Sequence, residues 1–385
     1  MNRIRVYLQY PWKFPDSPYY KYLIDNPPQG IEYLNVEKQK GVIVNKRLFW
    51  LSNFLKKNIR ESIKKLRIPL INIHQTKSKE RYDLIHCAHC LSKNNSPWVA
   101  DLESIWQLYV SGKKTKLATD RIRKILSNKN CRKIILWTEK IREDLEEAFP
   151  EVRDKMTVIY PAIPLPRIKK MAHKGINLLF VGRSFYEKGG LDAVRAMDNL
   201  TKKNKDIKAI VISKTPKEIA EKYAANKKIT FLKLIKKEEL EKIYSNTDIF
   251  IYPGYTDTFG FGILECMSFG IPVISTSGIL GEDSKDELIG DGVTGFLIKL
   301  PRRPNLGKIK FFWRETVLLS EIERNENPEI IREIINKASK IIENSNLRRK
   351  MAKKSLETVK NGKFSIGERN RKLKKIYEEA LNKNF

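Results

Sequence analysis

Short β-branched runs alternate with longer amphipathic stretches from one end of the chain to the other. That alternation is the signature of parallel sheets joined by crossover helices, because a parallel connection must carry the chain back along the sheet before the next strand begins. Six candidate strands come first, at Ile4–Leu8, Leu70–Ile73, Leu84–Cys87, Trp98–Asp101, Ile134–Trp137 and Thr157–Tyr160. A proline-studded segment, Tyr160–Pro166, and a basic stretch up to Gly175 then interrupt the pattern, as expected of a linker. Six more strands follow, at Leu178–Val181, Ala209–Ile212, Ile229–Leu232, Ile249–Tyr252, Val273–Ser275 and Phe296–Ile298, and from about Ile330 the pattern is helical and charged. Residues 301–320 fit neither period and are read as an insertion. With 385 residues, more than one core is expected.

Composition limits the function classes. Apolar residues make up 41% of the chain, enough for a core in each half, and no apolar stretch reaches the length of a membrane span. The start, MNRIRVYLQY, reads as a first strand, not as a cleaved leader. The four cysteines, Cys87, Cys90, Cys131 and Cys266, are too few for a disulfide framework and fit a reducing compartment, so the expected location is the cytoplasm. The formal net charge of +30 favours acidic partners: nucleic acid, an anionic membrane surface or phosphorylated substrates.

Two segments of the second half carry chemistry. The strand at Leu178–Val181 runs into Gly182, Arg183 and SFYEKGG, with Lys188 before the glycine pair that opens a helix. A strand that turns through glycine into a helix presents free N–H groups and a positive dipole to an anion, and the two cations add fixed charge there. The alternative is a tight turn with surface cations. After Ile249–Pro253 comes GYTDTFGFGILECMSFGIPVIST, where Asp257 and Glu265 stand eight residues apart around Phe259, Gly260 and Gly262. Carboxylates placed in such a loop and a turn into its helix suit the hydroxyls of a nucleotide sugar. A helix cap at Asp257 and a surface Glu265 are the plainer reading.

These segments, with KKEELEKIYSNTDIFIYP between them and GDGVTGFL at Gly290–Leu297, resemble the C-terminal domain of the large family of retaining GT-B glycosyltransferases, often called family four. The likeness runs from about Asn177 to Leu300, with a weaker echo in NSNLRRKMAKKSLETV and KIYEEAL. It implies an α/β GT-B fold of two Rossmann-like domains facing across a cleft, the last helix returning to the first domain. The domains then span 1–165 for the acceptor, 166–360 for the nucleotide sugar, and 361–385 for the terminal helix.

By the same resemblance Arg183 and Lys188 bind the diphosphate and stabilise its charge on departure. Glu265 binds the ribose. Asp257 stands where the family carries its first acid, a glutamate, and would meet hydroxyls of the transferred sugar. Gly182 and the backbone at Phe259 and Gly260 meet sugar and phosphates, and Ile235 lies in the loop that contacts the base. No metal and no cofactor are implied. The expected partners are a UDP-, GDP- or ADP-linked sugar donor and a lipid-linked or saccharide acceptor.

The first half is less patterned. It lacks the family's glycine-rich loop after the first strand, and Asp101 and Glu103 stand where a histidine is usual. These two carboxylates are candidate acceptor-site groups, Asp101 as a base for the incoming hydroxyl. His86, Cys87, His89 and Cys90 crowd five residues, too close together to close a tetrahedral metal site unaided, so His86 is read instead as a substrate-side group at a strand end. Lys56, Lys57, Arg60, Lys64, Lys65 and Arg67 decorate a helical pattern, and residues 113–133 hold nine cations against Asp120 alone. Both stretches suit an anionic membrane surface, or are simply solvated helix faces. The expected activity is transfer to a glycolipid or cell-surface polysaccharide precursor. The alternatives are a GT-B nucleotide-sugar epimerase and a nucleic-acid-binding protein, the latter without any recognised nucleic-acid motif in the sequence.

Overall fold

The computed structural model describes residues 3–10, 17–36, 62, 69–110, 114–255, 257–277, 284–299 and 325–381. The basic helical pattern around Lys56–Arg67 and the segment 301–320 lie outside the described residues. Two compact units are formed: Met1–Ala162 together with Ile366–Phe385, and Ile163–Ser365.

The first unit is built on a six-stranded parallel sheet of β1 (Ile4–Gln9), β2 (Ile31–Leu34), β4 (Leu84–Ala88), β6 (Trp98–Leu102), β7 (Cys131–Leu136) and β8 (Met156–Val158), in the order β2-β1-β4-β6-β7-β8. Two short strands, β3 (Ile73–His74) and β5 (Leu91–Ser92), pair separately. Of the expected strand Leu70–Ile73 only its end joins that small ladder, while Ile71 makes an isolated bridge to Tyr109. Helices α1 (Pro18–Asp25), α2 (Lys116–Ser127) and α3 (Glu139–Ala148) complete the crossovers. Both β4 and β6 are buried along their whole length, which is why they read as apolar runs without alternation.

The second unit repeats the plan with β9 (Ile176–Gly182), α4 (Gly190–Lys203), β10 (Ile207–Ser213), α5 (Lys217–Lys222), β11 (Ile229–Leu232), α6 (Lys237–Ser245), β12 (Ile249–Tyr252), α7 (Phe261–Ser268), β13 (Val273–Ser277), α8 (Lys285–Leu288) and β14 (Gly295–Lys299). Its parallel sheet has the order β11-β10-β9-β12-β13-β14, so the winding direction reverses between β9 and β12. Ligands of doubly wound sheets bind at the carboxyl ends of the strands beside such a reversal.

Helix α9 (Pro328–Glu343) shows how local sequence closes this core. Asn327 caps it by accepting hydrogen bonds from the N–H groups of Glu329 (3.2 Å) and Ile330 (3.3 Å), with Pro328 at the first turn. Ile330, Ile334, Ala338 and Ile341 then recur on one face and are fully buried, with Leu178, Val194 and Ile251 in the same core. Burying an isoleucine of this kind contributes about 1.5–3 kcal/mol. Helix α10 (Ser345–Lys360) follows, and α11 (Ile366–Leu381) belongs to the first unit, where Glu379 pairs with Lys133 of β7 at 3.2 Å. None of the described helices is long and apolar enough to cross a membrane.

Candidate nucleotide-sugar site

Two loops meet at the reversal point of the second sheet. The first leaves β9 at Gly182, passes Arg183 and Lys188, and enters α4 through Gly189 and Gly190. Gly189 has φ 72°, and a Cβ there would stand 2.1 Å from the Pro253 carbonyl oxygen of the second loop; at Gly190 a Cβ would meet the Phe185 ring at 2.5 Å. The glycine pair therefore provides both the left-handed turn and the close approach of the two loops. The Tyr255 N–H closes the contact by donating to the Glu187 carbonyl at 3.0 Å.

The second loop leaves β12 after Tyr252 and enters α7 at Gly260, whose φ of 99° only glycine adopts without strain. Side chains from β13 and α8 hold its carbonyls. Ser275 donates to the Tyr252 oxygen (2.5 Å), Thr276 to the Gly254 oxygen (2.6 Å) and Ser284 to the Thr258 oxygen (2.8 Å). The ammonium of Lys285, with no exposed surface, donates to the Gly254 oxygen and to Thr276 Oγ1. Sequence reasoning passed over this support; the hydroxyl run Ser275-Thr276-Ser277 at a strand end was its one visible signal.

On this frame the charged residues come together. Lys188 Nζ lies 3.7 Å from Asp257 Oδ1, and Tyr252 donates its phenol to Asp257 Oδ2 at 2.7 Å. Glu265, in the second turn of α7, accepts from the Tyr244 phenol at 3.3 Å. Burial pushes the Glu265 carboxyl above its usual range, against the lowering pull of Lys237, the Tyr244 hydrogen bond and Arg183. Arg183 is exposed at the mouth of the first loop. The Phe259 ring is buried against Phe261 and Phe364, beside the start of α7. Ile235 is partly exposed in the loop between β11 and α6.

Asp192, which the sequence did not single out, sits buried in the first turn of α4. Its carboxylate accepts from the Tyr255 phenol and from the Asn327 N–H (2.7 Å), and burial raises its pKa to about 6.

The first-unit candidates need correction. Asp101 and His86 have no exposed surface. Asp101 accepts from the Tyr20 phenol (2.7 Å) and the His89 N–H (3.1 Å), and its second oxygen faces His86 Nε2 at 3.2 Å, while His86 Nδ1 meets the Tyr377 phenol of α11 at 2.7 Å. The two histidines hold the buried Asp101 carboxyl below its usual range despite desolvation. Both residues thus form an interior network that ties α11 to β4 and β6, with no exposed surface among the described residues. Glu103 remains partly exposed, 3.8 Å from His89 Nε2 and bonded to Gln107. Cys87 and Cys90 turn to Gln9.

Comparison with known proteins bears on the fold and the second unit. Residues 165–306 match the family model described as glycosyl transferases group 1. An uncharacterised 41.2 kDa protein in the cps region of Klebsiella pneumoniae is 26% identical over 42% of this chain and 48% of its own length. The D-inositol 3-phosphate glycosyltransferase of Corynebacterium urealyticum is 24% identical over 51% of this chain and 55% of its own. The matched stretches thus span about half the length of these two relatives. Among solved structures, sucrose-phosphate synthase from Thermosynechococcus elongatus superposes with a TM-score of 0.61 at 13% identity, covering 100% of both chains. WaaG, a glycosyltransferase involved in lipopolysaccharide biosynthesis, does so with 0.52 at 15% identity, covering 97% of this chain and 99% of its own. The chain has the GT-B fold of glycosyltransferases, and its second unit carries, over residues 165–306, a segment of the glycosyl transferases group 1 type.

Proposed function

We propose that the chain transfers a sugar, with retention of anomeric configuration, from a nucleotide diphosphate carrier to a glycolipid or cell-surface polysaccharide precursor. The observation that carries this reading is the junction of the two loops, where Lys188, Asp257, Arg183 and Glu265 converge on the carboxyl ends of β9 and β12. A diphosphate placed over the starts of α4 and α7 meets helix N–H groups and two cations. As the glycosidic bond breaks, negative charge grows on the leaving phosphate. Arg183 and Lys188, already in place, stabilise that charge without reorganisation.

Glu265 accepts hydrogen bonds from the ribose hydroxyls, for which its half-buried carboxylate is a strong acceptor. Asp257 keeps one oxygen on Tyr252 and orients Lys188, leaving its other lone pairs for hydroxyls of the transferred sugar. The backbone of Gly182, Phe259 and Gly260 lines the sugar and phosphates, and Ile235 borders the base. The cps region named for the Klebsiella relative and the lipopolysaccharide biosynthesis named for WaaG suit this acceptor class. The enzyme works at the cytoplasmic side of a membrane, without a cofactor or metal.

Thermal-shift measurements with UDP-, GDP- and ADP-linked sugars test the donor. A bound donor at a hundred times its dissociation constant stabilises by about 2.7 kcal/mol. A shift with at least one of the three nucleotides is expected; the absence of any shift overturns the reading.

A further inference from the structure

A second, unassigned recess lies in the first unit, at the opposite end of its sheet from the strand carboxyl termini. Arg3 immediately precedes β1, Arg81 and Tyr82 precede β4, Pro97 precedes β6, Arg132 is the second residue of β7, and Leu381 closes α11; together they line a cavity of about 500 Å³. Its positive charge is only partly offset among the described residues. Arg5 nearby is answered by Glu32 (3.4 Å) and Glu80 (3.2 Å), and Lys133 by Glu379, whereas Arg3, Arg81 and Arg132 form no ion pair among the described residues. The one carboxylate in the lining, Asp83, accepts from the Arg5 N–H at 2.8 Å. Arg132 is partly exposed, but its Nε is buried and has no hydrogen-bond partner among the described residues. A buried guanidinium donor left unpaired is costly and calls for an acceptor.

We infer that this recess binds a phosphate group carried on an organic moiety. Three guanidiniums and one carboxylate leave a net positive well, and arginine forks match phosphate oxygens bidentately. The cavity is far larger than a bare phosphate and falls in the range of small-ligand sites. Tyr82, held by the Tyr7 ring at 5.6 Å, and Pro97 give it apolar walls for whatever carries the phosphate. The site is independent of the two loops of the second unit.

The direct test follows the Arg132 Nε–H resonance of the full chain with ¹⁵N-labelled arginine, assigned by its loss in Arg132→Gln. Phenyl phosphate should shift it saturably, at lower concentration than inorganic phosphate because of the apolar walls. Sedimentation with phosphatidylglycerol vesicles, against phosphatidylcholine vesicles, identifies the source. A loss of at least about tenfold in vesicle affinity in the Arg3→Gln, Arg81→Gln, Arg132→Gln triple variant marks a lipid headgroup, whereas equal sedimentation together with the resonance shift marks a soluble phosphoester. No shift with either phosphate and no vesicle difference overturns the inference. The shift is read on the unaltered chain, and Arg132→Lys, which keeps the charge but removes the Nε–H, provides the assignment should Arg132→Gln fail to fold.

Discussion

Lys188 Nζ stands 3.7 Å from Asp257 Oδ1, an ion pair between two loops that are 69 residues apart in sequence and pressed together by Gly189. In the proposed function the pair couples the cation assigned to the departing diphosphate to the acid assigned to the sugar. At this separation in a partly buried setting each orients the other, and a ligand that engages both is met by a preset arrangement.

Gly189→Ala should spread that junction. The added Cβ meets the Pro253 oxygen at 2.1 Å, and a non-glycine residue at φ 72° costs a further 1–2 kcal/mol or so. A lower melting temperature and weaker nucleotide binding are expected together. Gly262→Ala, where a Cβ meets nothing within 4 Å, is the control and should keep parental stability. Equal melting temperatures for both variants would contradict the packing argument.

Glu265→Gln should weaken nucleotide affinity by about tenfold or more, because one oxygen that accepts from ribose becomes a donor, and hydrogen bonds to charged groups are worth about 1.5–3 kcal/mol. Calorimetry is the measurement. Parental affinity for every nucleotide that binds would remove Glu265 from the site.

Asp192 gives a pH dependence. Its folded pKa of about 6 lies above the ordinary carboxyl value, so the folded state holds the proton that the unfolded state releases near 3.8. Stability from this group is therefore fully present at low pH and lost as pH rises from about 4 to about 6, then constant. Asp192→Asn should abolish that slope. Urea midpoints of parent and variant should converge or diverge only across that window; a pH-independent difference contradicts the assignment.

In the proposed function Arg183 and Lys188 neutralise the diphosphate, so turnover should survive exhaustive chelation by EDTA. A loss restored by a divalent cation would show that a metal shares the role.

The sequence carried the architecture well because parallel strands buried on both faces, such as β12, leave unmistakable apolar runs, and Gly189 and Gly260 sit where only glycine serves. It failed where function depends on which distant residue arrives. Asp101 and His86 looked like substrate groups at strand ends, but both are buried, with Tyr377, 291 residues beyond His86, on His86 Nδ1 and Tyr20 on Asp101 Oδ1. Ile31–Leu34 escaped notice because four residues after PPQG give too short a run to show a period. Lys285 read as one cation among 75, and only the fold reveals it buried beneath the Gly254 carbonyl. Asp192 likewise looked like an ordinary first-turn acid until Tyr255 and Asn327 closed over it.

The central claim is that Arg183 and Lys188 act on charge that develops in the transition state. Donor-sugar hydrolysis or transfer, measured for Arg183→Ala and Lys188→Ala beside the parent, with nucleotide affinity determined separately, tests it most directly. Loss of one positioned donor typically costs about 10²–10³ in rate, so kcat should fall by that factor while affinity falls far less. Mutants that turn over a competent donor at the parental rate would contradict the account.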